Sequence, residues 1–210
     1  MATFRRLCAI ILATPLLAGG FAQASQPRTL LVFGDSLSTP HGIEAGESWT
    51  ALLQQRLDAG GHAVKVVNAS RKGETSEGGR RRLQATLDRH RPRWVLLELG
   101  ANDGLGKAPP ERLRKNLNRM LAMIRASGAA PVLVGMELPP TYEMDYAAQF
   151  STAYYQAARE SGAPFIPFLL ETIARHPDMF LADRLHPNAR AQPKLLEAVW
   201  PAIAPLVAAP

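Results

Sequence analysis

The sequence alternates short, continuously apolar runs with longer stretches of helical periodicity. The runs lack the apolar–polar alternation of a strand with one face in water, so we expect strands covered on both faces, as in a parallel sheet. Five runs occur, at residues 29–33, 63–67, 94–99, 131–136 and 164–168. Two prolines weaken the strand pattern of the fifth run.

Helical patterns fill the intervals between these runs. They cover residues 48–57, 78–90, about 109–126, 146–161 and about 189–206. Pro110 near the start of the third and Gly128 just past its end are typical helix start and stop signals. Strands that alternate with helices predict βαβ units and an α/β fold with three layers, an α/β/α sandwich. In such folds the functional groups lie beyond the carboxyl ends of the strands.

The N-terminus has its own pattern. Arg5 and Arg6 precede an apolar run at residues 7–17, and Ala22-Gln23-Ala24 follows, which predicts a signal peptide over residues 1–24 with cleavage after Ala24. We therefore expect a periplasmic or secreted protein with a single domain over residues 25–210. An uncleaved membrane anchor is the alternative, although the run is shorter than the roughly 20 residues of a spanning helix. The single cysteine lies within this leader, so no disulfide is expected in the domain.

The net charge of +6 comes largely from clustered arginines and lysines at residues 71–72, 80–82 and 89–93. Two interpretations remain open: a solvated helix face, or transient contact with the anionic head groups of membrane lipid. The clusters lack the interleaved aromatic side chains of a single-strand nucleic-acid platform, so no nucleic-acid partner is expected.

Small polar residues follow the predicted strands. Ser36 follows the first, Gly73 the second and Asn102 the third, while Asp183 and His186 come after the fifth. Because the carboxyl ends of parallel strands share one edge of a sheet, we expect these five residues to converge.

Together these groups match the requirements of acyl transfer. A serine hydroxyl needs an adjacent base, and His186 is the candidate base for Ser36, with Asp183 accepting the other ring N–H. The backbone N–H groups of Ser36 and Gly73 and the side-chain amide of Asn102 are candidate donors to the oxyanion of the transition state. Asp35 and Asp103 are interpreted as structural residues that hydrogen-bond loop amides.

Four sequence blocks resemble those of the SGNH (GDSL) hydrolases. They are GDSLS at positions 34–38, Gly73, GAND at 100–103 and DRLHP at 183–187. Longer stretches, including PRWVLLELGANDGL at 92–105 and HPNARAQP at 186–193, resemble the bacterial periplasmic thioesterase I, lysophospholipase and arylesterase group.

The resemblance implies a flavodoxin-like, five-stranded parallel sheet and the roles given above for Ser36, Gly73, Asn102, Asp183 and His186. It implies a monomeric hydrolase of carboxylic esters and thioesters (acyl thioesters, lysophospholipids and aryl esters) with neither metal nor cofactor. Three further residues are implied in substrate binding, through a mobile loop at 105–109 and a second pocket wall: Leu105, Pro139 and Tyr142.

Two positions depart from the family pattern. Lys72 stands where relatives often have a serine, and Arg184 stands where a glycine is usual between the aspartate and the histidine of the last block. Both add a cation close to the expected site, and neither removes a catalytic atom.

Other functions stay open at this stage. A carbohydrate O-deacetylase of the same fold and a catalytically silent envelope binding module are the alternatives to the ester and thioester hydrolase. The remaining histidines show no ligand spacing with one another, so no zinc site is predicted from them: His41, His62, His90 and His176.

Overall fold

The computed structural model describes residues 28–208. The predicted signal peptide and its cleavage point lie outside this range. The strands are β1 (Arg28–Gly34), β2 (Val64–Asn68), β3 (Trp94–Glu98), β4 (Ala130–Val134) and β5 (Phe165–Ile166). The helices are α1 (Trp49–Ala59), α2 (Ser76–His90), α3 (Ala101–Leu105), α4 (Pro110–Ala126), α5 (Met144–Ser161) and α6 (Gln192–Ala208), and single 3₁₀ turns lie at Ala45–Glu47, Pro177–Met179 and Ala189–Ala191.

The five strands form one parallel sheet in the order β2-β1-β3-β4-β5. The predicted α/β class and the five-stranded parallel sheet are therefore confirmed. The chain runs from β1 outward to β2 and then returns to the other side of β1 to form β3, so the strand order reverses between β1 and β3. Ligands of open α/β sheets bind at such a reversal, beyond the carboxyl ends of the strands.

Two apolar cores, one on each face of the sheet, create the three layers. Alternate residues of β1 point to opposite faces: Leu30 and Val32 belong to one core, Leu31 and Phe33 to the other. The first core also contains buried residues of α1 and α6, and the second contains those of α2, α4 and α5. Burial on both faces explains why β1, β3 and β4 are continuously apolar in sequence.

Two strands differ from the predicted pattern. β2 is an edge strand and leaves most of its residues partly or fully exposed, so the prediction of burial on both faces was wrong for this run. β5 pairs over Phe165 and Ile166 only, because Pro164 and Pro167 have no N–H to donate to a longer ladder.

The helices match their predicted positions closely, apart from one that sequence patterns did not indicate. Ser48 is the N-cap of α1 and accepts a hydrogen bond from the Ala51 N–H at 3.3 Å. The unpredicted helix is α3, which begins within the GAND block and ends at Leu105. Its five residues are too few for helical periodicity to reveal. Within residues 28–208 no helix combines the length and apolar character needed to cross a membrane.

Candidate active site

Three side chains form a hydrogen-bonded row at the carboxyl edge of the sheet. Ser36 Oγ, two residues beyond β1, lies 3.0 Å from His186 Nε2. The other ring nitrogen, His186 Nδ1, lies 2.7 Å from Asp183 Oδ2. The structure thus brings together a hydroxyl and an imidazole that are 150 residues apart in the chain.

The turn around Asp183 holds the Asp183 carboxylate beside the His186 imidazole. Asp183 Oδ1 accepts the backbone N–H groups of Leu185 at 2.9 Å and His186 at 3.0 Å, which leaves Oδ2 for the ring. Arg184 adopts a left-handed φ of 56° to close this turn. The hydrogen bonds from the His186 and Leu185 amides, together with the imidazole, hold the pKa of the exposed Asp183 far below its usual range. Asp183 is therefore a carboxylate at every physiological pH.

Gly73 and Asn102 follow β2 and β3, the two strands that flank β1 in the sheet. Gly73 lies in the turn after β2 with φ +72°, a conformation that favours glycine. Asn102 Nδ2 donates to Asp35 Oδ2 at 3.1 Å and to the Glu74 carbonyl at 3.0 Å. Asn102 therefore joins the turn after β1 to the turn that carries Gly73.

A pair of buried carboxyl groups lies beneath the serine turn. Asp35 has no exposed surface and accepts the Leu37 N–H at 3.0 Å. Glu98, at the end of β3, accepts the Ser38 hydroxyl at 2.7 Å and the Asp35 N–H at 3.4 Å. Burial raises the pKa of Asp35 to about 7, and burial followed by the nearby Asp35 raises the pKa of Glu98 well above its ordinary value.

Glu98 was missed by the sequence analysis, although a signal was available. It is the single charged residue in the apolar run WVLLEL, and a charged residue in such a strand needs a polar partner. Gly34 leaves the necessary space, since a Cβ there would come within 2.5 Å of Glu98 Oε2.

Asp103 holds the start of α2 against α3. Its carboxylate accepts the Ser76 N–H at 2.6 Å and the Ser76 hydroxyl at 2.7 Å. Asn116 of α4 in turn donates to the Ser76 hydroxyl oxygen at 2.9 Å. The predicted structural roles of Asp35 and Asp103, hydrogen bonding of loop amides, are confirmed.

An apolar cleft of about 630 Å³ opens beside the hydrogen-bonded row. Ser36, Asn102 and His186 lie on its wall, and apolar side chains provide most of the remaining surface. These are Leu37, Ala101, Leu105, Met136, Leu138, Pro139, Pro140, Phe168, Leu170, Ala174, Pro177, Phe180 and Leu185. The charged side chains on the wall are Glu137, Arg175 and Arg184.

The three residues expected to bind substrate lie in different places. Leu105 and Pro139 line the cleft, and Leu105 does so from the end of α3 rather than from a loop. Tyr142 is not part of the cleft wall; its hydroxyl donates to the Leu105 carbonyl at 3.0 Å. Tyr142 thus ties the loop after β4 to α3 by an exposed hydrogen bond.

Some of the arginines of α2 form contacts within the fold. Arg82 forms an ion pair with Glu74, donates to the Ala69 carbonyl at 2.8 Å and covers the Phe33 ring at 3.9 Å. Arg81 pairs with Glu77 on the exposed side of the helix. At least one residue of this basic cluster therefore supports the turn next to Gly73 instead of facing solvent.

An α/β sandwich with a serine, a histidine and an aspartate hydrogen-bonded in a row at its strand ends defines the class of serine hydrolases. The chain belongs to the GDSL-like lipase/acylhydrolase family, whose model matches residues 32–192. It is therefore an acyl hydrolase, and the resemblance to SGNH hydrolases found in the sequence is confirmed.

Individual relatives agree with this assignment. Esterase TesA of Pseudomonas aeruginosa is 44% identical over 185 residues, which cover 88% of this chain and 92% of the relative. Thioesterase 1/protease 1/lysophospholipase L1 of Escherichia coli K12 is 38% identical, with 88% of each chain covered. A crystal structure of TesA superposes with a TM-score of 0.83 at 45% identity and covers 85% of this chain and 99% of that chain.

Proposed function

We propose that the protein hydrolyses carboxylic esters and thioesters through an acyl intermediate on Ser36. The observation that carries this proposal is the unbroken row Ser36 Oγ, His186 and Asp183, with separations of 3.0 and 2.7 Å. Both distances allow proton sharing in the resting protein, so the base needs no rearrangement to reach the nucleophile.

The reaction proceeds in two displacements. Ser36 Oγ attacks the acyl carbonyl carbon while its proton passes to His186 Nε2, and the imidazolium then protonates the leaving alcohol or thiol. Water attacks the resulting acyl-serine, with His186 again taking and returning the proton, and the carboxylic acid departs. Asp183 accepts the Nδ1 proton throughout and stabilises the imidazolium because it remains ionised.

The oxyanion would be stabilised by the N–H groups of Ser36 and Gly73 and by Asn102 Nδ2. Both amide hydrogens of Asn102 already have acceptors in the resting protein, Asp35 and the Glu74 carbonyl. Stabilisation of an oxyanion therefore requires Asn102 to share one of these hydrogens with the substrate oxygen. The more negative the oxygen becomes, the better it competes, so the interaction favours the transition state over the bound ester.

The cleft supports acyl chains as the part of the substrate that is bound. Its walls are mainly Leu, Pro, Phe and Met side chains, which suit a hydrocarbon tail better than a hydroxylated sugar. Relatives named as an esterase, as a thioesterase and lysophospholipase, and as an arylesterase agree with acyl thioesters, lysophospholipids and aryl esters as substrates. A carbohydrate O-deacetylase would instead turn over acetylated sugars faster than medium-chain esters, and a substrate panel separates the two.

Replacing the nucleophile tests the proposal. Ser36→Ala should remove essentially all turnover of a p-nitrophenyl ester, because it removes the hydroxyl that is hydrogen-bonded to His186 Nε2. Ser151→Ala, within α5 and away from the cleft, is the matched control and should keep the wild-type rate. Wild-type turnover by Ser36→Ala would refute the role of Ser36.

We also propose that the protein is exported and acts as a monomer in the periplasm or outside the cell. The support is the leader-like pattern of residues 1–24. N-terminal sequencing of the exported protein should begin at Ser25, and sedimentation should give the mass of a single chain. Lipid contact through the remaining exposed arginines would appear as salt-sensitive binding to anionic vesicles.

A further inference from the structure

His41 lies against the catalytic imidazole, although acyl transfer assigns it no step. Its ring centroid is 4.0 Å from that of His186, with the two planes inclined by 40°. One ligand-type atom each from His41, Asp183 and His186 lies within 4.8 Å of the others. Sequence spacing does not reveal this cluster, because His41 is far from Asp183 and His186 in the chain.

We propose that His41, Asp183 and His186 bind a divalent transition-metal ion, with Zn²⁺ as the probe, and that binding switches hydrolysis off. Two imidazole nitrogens and one carboxylate oxygen form a ligand set that zinc uses widely, with a fourth position left for water. Zinc–ligand bonds of about 2.0–2.2 Å separate tetrahedral ligand atoms by roughly 3.5 Å. The widest separation in the cluster therefore has to shorten by about 1 Å to close around the ion. His186 Nδ1 and Asp183 Oδ2, now 2.7 Å apart, have to separate by roughly 1 Å and exchange their hydrogen bond for bonds to the ion.

The loop that carries His41 is held against the turn that carries the other two ligands. Gly42 adopts a φ of 69°, and a Cβ there would come within 2.7 Å of the Leu181 side chain. Leu181 in turn donates its N–H to the His186 carbonyl at 2.8 Å. These contacts fix the relative position of the two loops. Asp183 is exposed and both histidines are partly exposed, so an ion can reach the cluster from solvent.

The position of Asp183 explains how the ion would stop catalysis. Asp183 lies on the Nδ1 side of His186, so an ion shared by the two residues takes the Nδ1 lone pair. The neutral ring keeps one proton, which then resides on Nε2. Nε2 becomes a donor towards Ser36 Oγ and loses the lone pair that must accept the serine proton. The positive charge of Lys72, which acts on His41, opposes the ion, and the carboxylate of Asp183 favours it.

Metal binding and inhibition are tested separately, because inhibition rests on the proposed function and binding does not. Titration calorimetry of Ser36→Ala, which keeps all three ligands, should show one Zn²⁺ per chain. The double variant Ser36→Ala/His41→Phe should bind at least about tenfold more weakly, because one ligand is lost while an aromatic ring still packs on His186. Equal affinities in the two proteins would overturn the proposal.

Ester turnover supplies the second measurement. Zn²⁺ should inhibit the wild type reversibly, with activity restored by a chelator, while Mg²⁺ and Ca²⁺ should have no effect because they prefer oxygen ligands. Each protein's activity is expressed relative to its own metal-free rate. The half-inhibitory Zn²⁺ concentration should then be at least about tenfold higher for His41→Phe than for the wild type. His62 precedes β2 at the amino end of the sheet, away from the site. His62→Phe is therefore the matched control and should leave the half-inhibitory Zn²⁺ concentration unchanged.

The same Zn²⁺ sensitivity in His41→Phe and the wild type would contradict the proposal. Full turnover by Ser36→Ala would instead refute the proposed function and leave the binding result standing.

Discussion

Two aspartates lie next to the Ser36–His186 pair, and their surroundings push their protonation in opposite directions. Asp35 is buried beneath the serine turn beside Glu98, and its pKa is raised to about 7, mainly by burial. Asp183 is exposed at the edge of the cleft, and hydrogen bonds from two backbone amides and the imidazole lower its pKa. The charge-stabilising role therefore belongs to the solvated carboxylate, while the buried one holds loops together.

Within this comparison, the largest effect is expected from the exposed aspartate. Asp183→Asn should lower kcat by about 10³–10⁴-fold, because the amide does not stabilise the imidazolium and favours the wrong ring tautomer. Steady-state ester hydrolysis measures the loss. Asp35→Asn is the contrasting variant, and a fall in kcat as large as that of Asp183→Asn would erase the distinction between the two aspartates.

The next effect concerns Asn102, which contacts the buried aspartate and the cleft. Asn102→Ala removes one oxyanion donor, so kcat should fall about 10²–10³-fold with little change in KM. Separate measurement of kcat and KM for a p-nitrophenyl ester shows which of the two constants Asn102→Ala changes. A change confined to KM would show that Asn102 binds the ground state and contributes nothing specific to the transition state.

The buried carboxyl pair should shape the pH dependence of stability. Because the folded-state pKa values of Asp35 and Glu98 are raised, the folded protein holds protons that the unfolded chain has released above about pH 4–5. The pair therefore makes the free energy of unfolding fall as pH rises from about 4 to 7 and beyond. Asp183, with its lowered pKa, has the opposite sign and loses its contribution as pH falls.

Glu98→Gln isolates the contribution of the pair. The variant should lose part of the decline in stability between about pH 5 and 8, measured by urea unfolding across that range. Glu171→Gln, an exposed glutamate, is the control and should keep the wild-type slope. Parallel profiles for Glu98→Gln and the wild type would contradict the raised folded-state pKa of Glu98.

The smallest effect is expected at Tyr142, which contacts the cleft-lining Leu105. Tyr142→Phe removes a single exposed hydrogen bond to Leu105, so KM for a medium-chain ester should rise by no more than about threefold. Tyr155→Phe on the outer side of α5 is the control and should leave KM unchanged. A loss of kcat beyond tenfold in Tyr142→Phe would mean that the α3 contact positions Asn102 as well as the cleft wall.

Local patterns in the sequence predicted much of this molecule. Continuous apolar runs located β1, β3 and β4, and the parallel topology then brought Ser36, Asn102 and His186 to one edge. The exposure of β2 was missed, although Lys65 and Asn68 make its sequence, VKVVN, more polar than the central strands. Long-range packing decided the remaining features: the burial of Glu98 beside Asp35, the contact of His41 with His186 and the hydrogen bond of Tyr142 to Leu105.

The site of covalent modification by a fluorophosphonate tests the central claim most directly. Only a hydroxyl activated by a neighbouring base reacts readily with such a probe, so peptide mapping by mass spectrometry identifies the nucleophile. We predict one adduct per chain, on Ser36, and none in Ser36→Ala. An adduct on a different residue, or a fully active protein that resists the probe, would contradict the assignment of Ser36 and His186 as nucleophile and base.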